Sequence, residues 1–241
     1  FFLKSNDLKG FVLNPLCVHS TKNFDLRKVK NDAKDAESIA RLAKFQDVKY
    51  SLVPEPQILS LRMLLREYYA MSDMLTELKN RLCTDLYLLF PGYLDVFSNP
   101  FGKASLKILR DYQTPQAILS ENPDTLAQMI AKTSRKGLIW GQKKVAKLVA
   151  MAQLCLSMPM EFSILSRKIQ YHLDGIETFQ ANLEGLKDEL AGMISNVDFP
   201  KNIRDSIILL EAMPGIGFLT AATILAEIGD FSRFHSPKAL V

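Results

Sequence analysis

The sequence has 241 residues, 48% hydrophobic and 23% charged, with a mean hydropathy of +0.03, a profile that excludes disordered and low-complexity chains and fits one with a sizeable buried core. Thirty Lys and Arg against 26 acids give a net charge of +4 and a pI near 8.9, which permits a polyanionic partner without requiring one. The longest apolar stretch, 207–229, contains Glu211, Glu227 and a Pro-Gly break, so no segment is predicted to span a membrane.

Phe11-Val12-Leu13, between Gly10 and Asn14-Pro15, reads as a short buried strand ended by a turn. A basic loop with Lys22, Arg27, Lys28 and Lys30 follows, and a helix is predicted from Asn31 as N-cap, with Ala36, Ile39, Ala40 and Ala43 on its apolar face. Asp32 and Asp35, three residues apart, share one face of its first turn. Two such carboxylates are stabilised by the helix N-terminus, by nearby lysines, or by a divalent cation such as Mg²⁺; the residues alone leave these open.

Residues 57–90 lack Gly and Pro, and Leu64, Tyr68, Met71, Leu75, Leu78, Leu82 and Leu89 recur in steps of four and three, interrupted only at Asp85. This predicts an amphipathic helix roughly 50 Å long, stopped by Pro91-Gly92. Lys103 to Met158 reads as a compact insert of short helices, with Thr114-Pro115 and Asn122-Pro123 as capped starts. Within it Lys132, Arg135, Lys136, Lys143, Lys144 and Lys147 surround Trp140 without an acid, which suits phosphate contacts beside one stacking ring; a solvated basic face is the competing reading. A second long helix follows Pro159. Its positions Leu165, Ile169, His172, Ile176, Phe179, Leu183, Leu186, Leu190 and Met193 predict a coiled-coil seam against the first long helix, with His172 a polar residue that fixes register.

Met213-Pro214-Gly215-Ile216-Gly217 followed by Phe218-Leu219-Thr220-Ala221-Ala222 resembles a helix-hairpin-helix motif. The first helix is expected to end at Met213 and a second to open near Phe218 with free N–H groups. Gly215 and Gly217 relax the backbone, Ile216 locks the turn, and Thr220 and Ser206 stand near enough to assist. Such an end holds a nucleic-acid phosphate without reading bases; a corner used only for packing is the alternative. Cys17, Cys83 and Cys155, like His19, His172 and His235, are dispersed, so neither a disulfide framework nor a zinc site is expected, and reduced cysteines point to a cytoplasmic protein.

In order, Asn14-Pro15, Lys30-Asn31-Asp32-Ala33-Lys34-Asp35-Ala36, two long helices, Met213-Pro214-Gly215-Ile216-Gly217, Ala226-Glu227-Ile228-Gly229-Asp230 and Ser236-Pro237-Lys238 resemble the insertion-sequence 110 type of transposase over nearly the whole chain. The resemblance implies a mainly α chain with the remnant of an RNase H-like α/β DEDD domain at 1–52. It further implies a coiled-coil and helical insert region at 53–200 and the start of a transposase domain with its helix-hairpin-helix at 201–241. It implies DNA recombination guided by a structured RNA, a homo-oligomer formed through the coiled coil, and Mg²⁺ held by Asp32 and Asp35 as the last two acids of the DEDD set. The remaining acids are then expected upstream of Phe1 and the catalytic serine downstream of Val241, so the chain reads as a fragment inactive by itself. The alternative is a non-enzymatic helical adaptor that dimerises through its seam and grips nucleic-acid backbone.

Overall fold

The computed structural model describes residues 6, 32–45, 55–157, 162–229 and 236. The expected strand at Phe11-Val12-Leu13 and the N-cap Asn31 lie outside these. The described elements are all helices, in two compact units, 1–59 and 60–241.

The first unit contains α1 (Asp32–Phe45), with Asp32 and Asp35 in its first turn and Lys44 in its last, a distribution that complements the helix dipole. Glu37 and Arg41 pair one turn apart at 2.6 Å. Its buried residue is Leu42, whereas Ala36, Ile39 and Ala40 are exposed. The expected apolar face is therefore shifted, because alanines bury too little surface to decide which side of a helix turns inward.

Helix α2 (Pro56–Leu89) leads into the second unit. It is uninterrupted, as the absence of Gly and Pro demands, and it ends where Gly92 takes a left-handed φ of 89°. Five shorter helices follow: α3 (Tyr93–Val96), α4 (Lys103–Asp111), α5 (Pro115–Ser120), α6 (Pro123–Ser134) and α7 (Leu138–Leu156). Both expected caps form. Thr114 Oγ1 accepts from the Ala117 N–H at 3.2 Å, and Asn122 Oδ1 from that of Asp124 at 2.8 Å. Helices α6 and α7 cross closely at Gly141, where a Cβ would stand 2.4 Å from the Ala127 carbonyl oxygen. The core gathers Leu82, Leu86, Phe90 and Tyr93 with Ile108, Ile118, Leu126, Ile130, Leu148 and Ile169, all fully buried.

Helix α8 (Phe162–Ser195) runs antiparallel to α2 where their side chains meet. Gly175 lies against Leu78, with room for a Cβ only 3.1 Å from Leu78 Cδ1. Asp85, which interrupts the α2 pattern, is 2% exposed and answers the polar His172 of α8: Oδ2 lies 2.9 Å from Nε2, and Oδ1 accepts from Lys168 Nζ at 2.7 Å. Oδ2 and Nε2 lie within ion-pair distance of each other but make no hydrogen bond, two buried polar atoms that face only one another. Buried residues toward the start of α2 include Leu61 and Leu65, and the expected Leu64, Tyr68 and Met71 are only half-buried. There α2 meets the last helix of the unit, so its inward face rotates away from the seam. Helix α4 is tied to α8 by Arg110, which reaches Asp174 at 2.5 Å and Glu177 at 2.9 Å.

Helices α9 (Lys201–Glu211) and α10 (Phe218–Ile228) close the described chain. They pack through Ile203 and Ile207 on one side and Ala221, Ala222, Leu225 and Ala226 on the other. Small residues on α10 permit the close approach that a tight hairpin needs.

Candidate nucleic-acid interface

The hairpin forms as a turn between two packed helices. Helix α9 ends at Glu211, two residues before the expected Met213, with Ala212 as its cap, because Pro214 cannot donate to continue the ladder. Met213 and Ile216 then close the turn, the Ile216 N–H donating to the Met213 carbonyl at 3.1 Å. The two glycines differ. Gly215 sits at φ 88°, a conformation that favours glycine, whereas Gly217 is extended at φ −90°, ψ 170°, open to any residue.

Gly217 is the N-cap of α10 and has no side chain to satisfy the first-turn N–H groups. A Cβ placed on either glycine would meet nothing within 4 Å, so the approach to those donors is open. Ile216, in the turn before α10, is half-buried, and Thr220, in the first turn of α10, is exposed. Ser206 is committed to the Asn202 carbonyl at 2.8 Å. At the other end of α10, Arg62 Nε donates to the Ala226 carbonyl at 2.7 Å and Arg66 forks onto Glu227 at 2.7 and 2.8 Å. The Arg66 hydrogen bond holds the Glu227 carboxyl below its ordinary range, against a smaller opposing effect of burial.

The basic cluster separates into unlike parts. Lys144 turns inward: its ammonium donates to the Val96 carbonyl and lies 5.3 Å from the Trp140 ring and 5.7 Å from that of Phe97. Burial first, then Lys147 and Lys136, push its pKa down. Lys132 and Lys143 are exposed and stand outside the cleft described next. Arg135 and Lys136 are exposed at the α6–α7 turn, with Lys136 Nζ 5.0 Å from the Trp140 ring. Together with Lys103 they line a cleft of about 380 Å³ whose walls include Phe97, Ser98, Thr133 and Trp140, and no carboxylate. Lys103 escaped the sequence reading because it lies some thirty residues before the cluster and meets it only through the packing of α4 against α6.

Asp32 is exposed and Asp35 half-buried in the first turn of α1, so both expected carboxylates occur on one helical face. Among the described residues no group of three or more His, Cys, Asp or Glu stands together as a metal site, and the described cysteines, Cys83 and Cys155, are unpaired thiols whose pKa burial raises. No helix among the described residues is long and apolar enough to cross a membrane.

Two family models match, at opposite ends of the chain. An IS110 DEDD model described as a transposase matches residues 1–91, which include Asp32, Asp35 and α2. A model described as the transposase IS116/IS110/IS902 family matches 208–241, which include the hairpin and α10. Both models are of transposases. The "Insertion element IS116 uncharacterized 44.8 kDa protein" of Streptomyces clavuligerus is 25% identical over 232 residues, covering 88% of this chain and 51% of its own. The chain carries segments similar to IS110-type transposases at both ends and spans about half the length of that relative. No solved structure matches it.

Proposed function

We propose that this chain is the nucleic-acid-holding part of a transposase that cleaves and rejoins DNA strands, gripping backbone with the hairpin and the basic cleft. The observation that carries the reading is the α10 N-terminus, uncapped and free of Cβ obstruction, following a turn that needs glycine at Gly215. Its N–H groups suit phosphate oxygens, and Gly215, Ile216, Gly217 and Thr220 are the hairpin residues assigned to this contact. Lys132, Arg135, Lys136 and Lys143 add the electrostatic attraction that any duplex or strand feels, while Lys144 supports the ring behind them.

In this reading Asp32 and Asp35 hold Mg²⁺ together with acids outside this chain. Two carboxylates on one helical face suit a hard cation that prefers oxygen donors and keeps several waters. Bound there, the ion would supply Lewis-acid stabilisation of a phosphodiester under attack. The chain's own residues position that backbone. The serine nucleophile implied by the family is assigned to no residue of this sequence, and the structured guide RNA and the oligomer formed through the long helices belong to the same proposal.

Replacing Asp32 and Asp35 singly by Asn in the complete protein is expected to abolish recombination and leave the melting temperature close to wild type; normal recombination in both removes the metal role. The adaptor reading draws on the fact that the hairpin and cleft both lie within residues 60–241, away from the acids in sequence. Under that reading the complete protein binds DNA with the same steep salt dependence but shows no cleavage with any divalent ion.

A further inference from the structure

We propose that the cleft between the Phe97–Lys103 loop and the α6–α7 turn is a pocket for one unpaired nucleotide of a single-stranded nucleic acid. Its base stacks on Trp140 and its phosphate lies among Lys103, Arg135 and Lys136. This rests on the nucleic-acid reading above and goes further by naming the form of the ligand. The cleft residues fall between the two matched family segments, in neither of them.

The volume, about 380 Å³, lies within the roughly 300–1,000 Å³ typical of sites for small organic ligands. Lys103, Arg135 and Lys136 form no ion pair among the described residues, and no acid lines the walls. Three unneutralised cations at one recess select an anion. Arg135 is placed there as the left-handed C-cap of α6, at φ 58°, the one non-glycine left-handed residue among those described. Facing it, α4 opens at Gly102 without a side-chain cap, so the first-turn N–H groups beside Lys103 add to the anion field. Gly102 keeps that turn close, since a Cβ would stand 3.3 Å from the Asn99 carbonyl and crowd it.

The recessed ring distinguishes a strand from a duplex. A base stacked and paired within a helix cannot lie on Trp140 unless it is extruded, whereas an unpaired base can. Lys136 occupies the vicinity of the ring at 5.0 Å through a flexible, exposed side chain. An arriving base takes the ring face and the displaced ammonium meets the phosphate, so the contact that guards the empty cleft becomes part of the filled one. Of the polar wall residues, Thr133 and Ser134 donate to carbonyls of their own helix, Ser105 meets the Tyr93 hydroxyl and Asn99 Oδ1 accepts from the Phe101 N–H, so most are committed before a base arrives, which makes the pocket tolerant of sequence.

Trp140 is the chain's single tryptophan, so its emission reports this cleft alone. Titration of the full chain with a single-stranded octanucleotide is expected to quench that emission saturably. The same octamer with abasic sites, and a blunt duplex, should leave it nearly unchanged. Lys103→Gln with Arg135→Gln should weaken octamer binding at least tenfold with the emission of the free protein intact. Trp140→Leu should weaken it about tenfold, read by anisotropy of a labelled octamer, and Trp140→Phe, which keeps a ring and controls for folding, by no more than a few-fold. Tighter binding of a ribo-octamer than its deoxy counterpart assigns the strand as RNA, and equal or weaker binding as DNA. Quenching by the abasic octamer equal to that by the complete one overturns the stacking. Duplex binding without single-strand quenching overturns the pocket and spares the broader reading, and no binding of either removes both.

Discussion

Gly217 permits a test in which folding and binding move in opposite directions. Its φ of −90° and ψ of 170° suit any residue, a Cβ there would meet nothing within 4 Å, and α10 has no side-chain cap. Gly217→Ser therefore introduces a good N-cap and should stabilise the chain by a few tenths of a kcal/mol. The added hydroxyl also takes up first-turn N–H groups and stands where a phosphate would sit. A hydrogen bond to a charged group is worth about 1.5–3 kcal/mol, so displacing one phosphate lowers duplex affinity roughly tenfold to a hundredfold. Backbone donors carry no net charge, so the slope of log affinity against log salt should stay as in wild type while the whole line drops. Gly215→Ala serves as the contrast. At φ 88° an added Cβ costs about 1–2 kcal/mol, which lowers the melting temperature by roughly 2–4 °C per kcal/mol. Thermal melts and anisotropy with a labelled duplex at several salt concentrations measure both. Wild-type affinity in a folded Gly217→Ser variant refutes the assignment of this helix end to phosphate.

Other sites give further expectations. Asp85→Asn removes the buried charge that accepts from Lys168, and it should cost about 1–3 kcal/mol in urea unfolding, with a cost under about 0.5 kcal/mol showing that the buried group is not needed. Gly141→Ala forces α6 and α7 apart, since its Cβ would stand 2.4 Å from the Ala127 carbonyl, and should destabilise by about 1–3 kcal/mol or more by the same assay. Glu227 has a folded pKa below its ordinary 4.5, so its contribution is full above that value and is lost as pH falls through the folded one. The stability deficit of Glu227→Gln should accordingly be constant near neutrality and vanish in acid; a deficit that persists in acid would assign the effect to something other than the Arg66 pair.

What was legible in the sequence tracks how local its cause is. The long helices follow from runs without Gly or Pro, and the Thr114 and Asn122 caps from a hydroxyl or amide placed just before proline, so each was readable from neighbouring residues. The hairpin was likewise visible in Pro214, Gly215 and Gly217, although only Gly215 uses the freedom that glycine gives. Features that depend on distant partners were not readable. The inward face of α2 changes along its length because α10 covers one part and α8 another, and a single heptad pattern cannot express that. Asp85 looked like a flaw in the seam until His172, nearly ninety residues on, supplied its partner. In the basic cluster, composition identified the charge but not its direction: Lys144 faces inward to a carbonyl, and Lys103 joins from another helix.

The two ends of α10 explain how a short hairpin can hold a polyanion firmly. Its 11 residues extend roughly 16 Å, short enough that a tilt at one end displaces the other. At the C-terminal end Arg62 takes the Ala226 carbonyl and Arg66 takes Glu227, placing cations where the helix dipole is negative and fastening α10 to the side of α2. Among the described residues no side chain caps the N-terminal end, and its positive pole and N–H groups face away from the clamp. Because the fixed end orients the open one before any ligand arrives, little ordering remains to be done on binding, and the affinity of those donors for phosphate is not spent on arranging them.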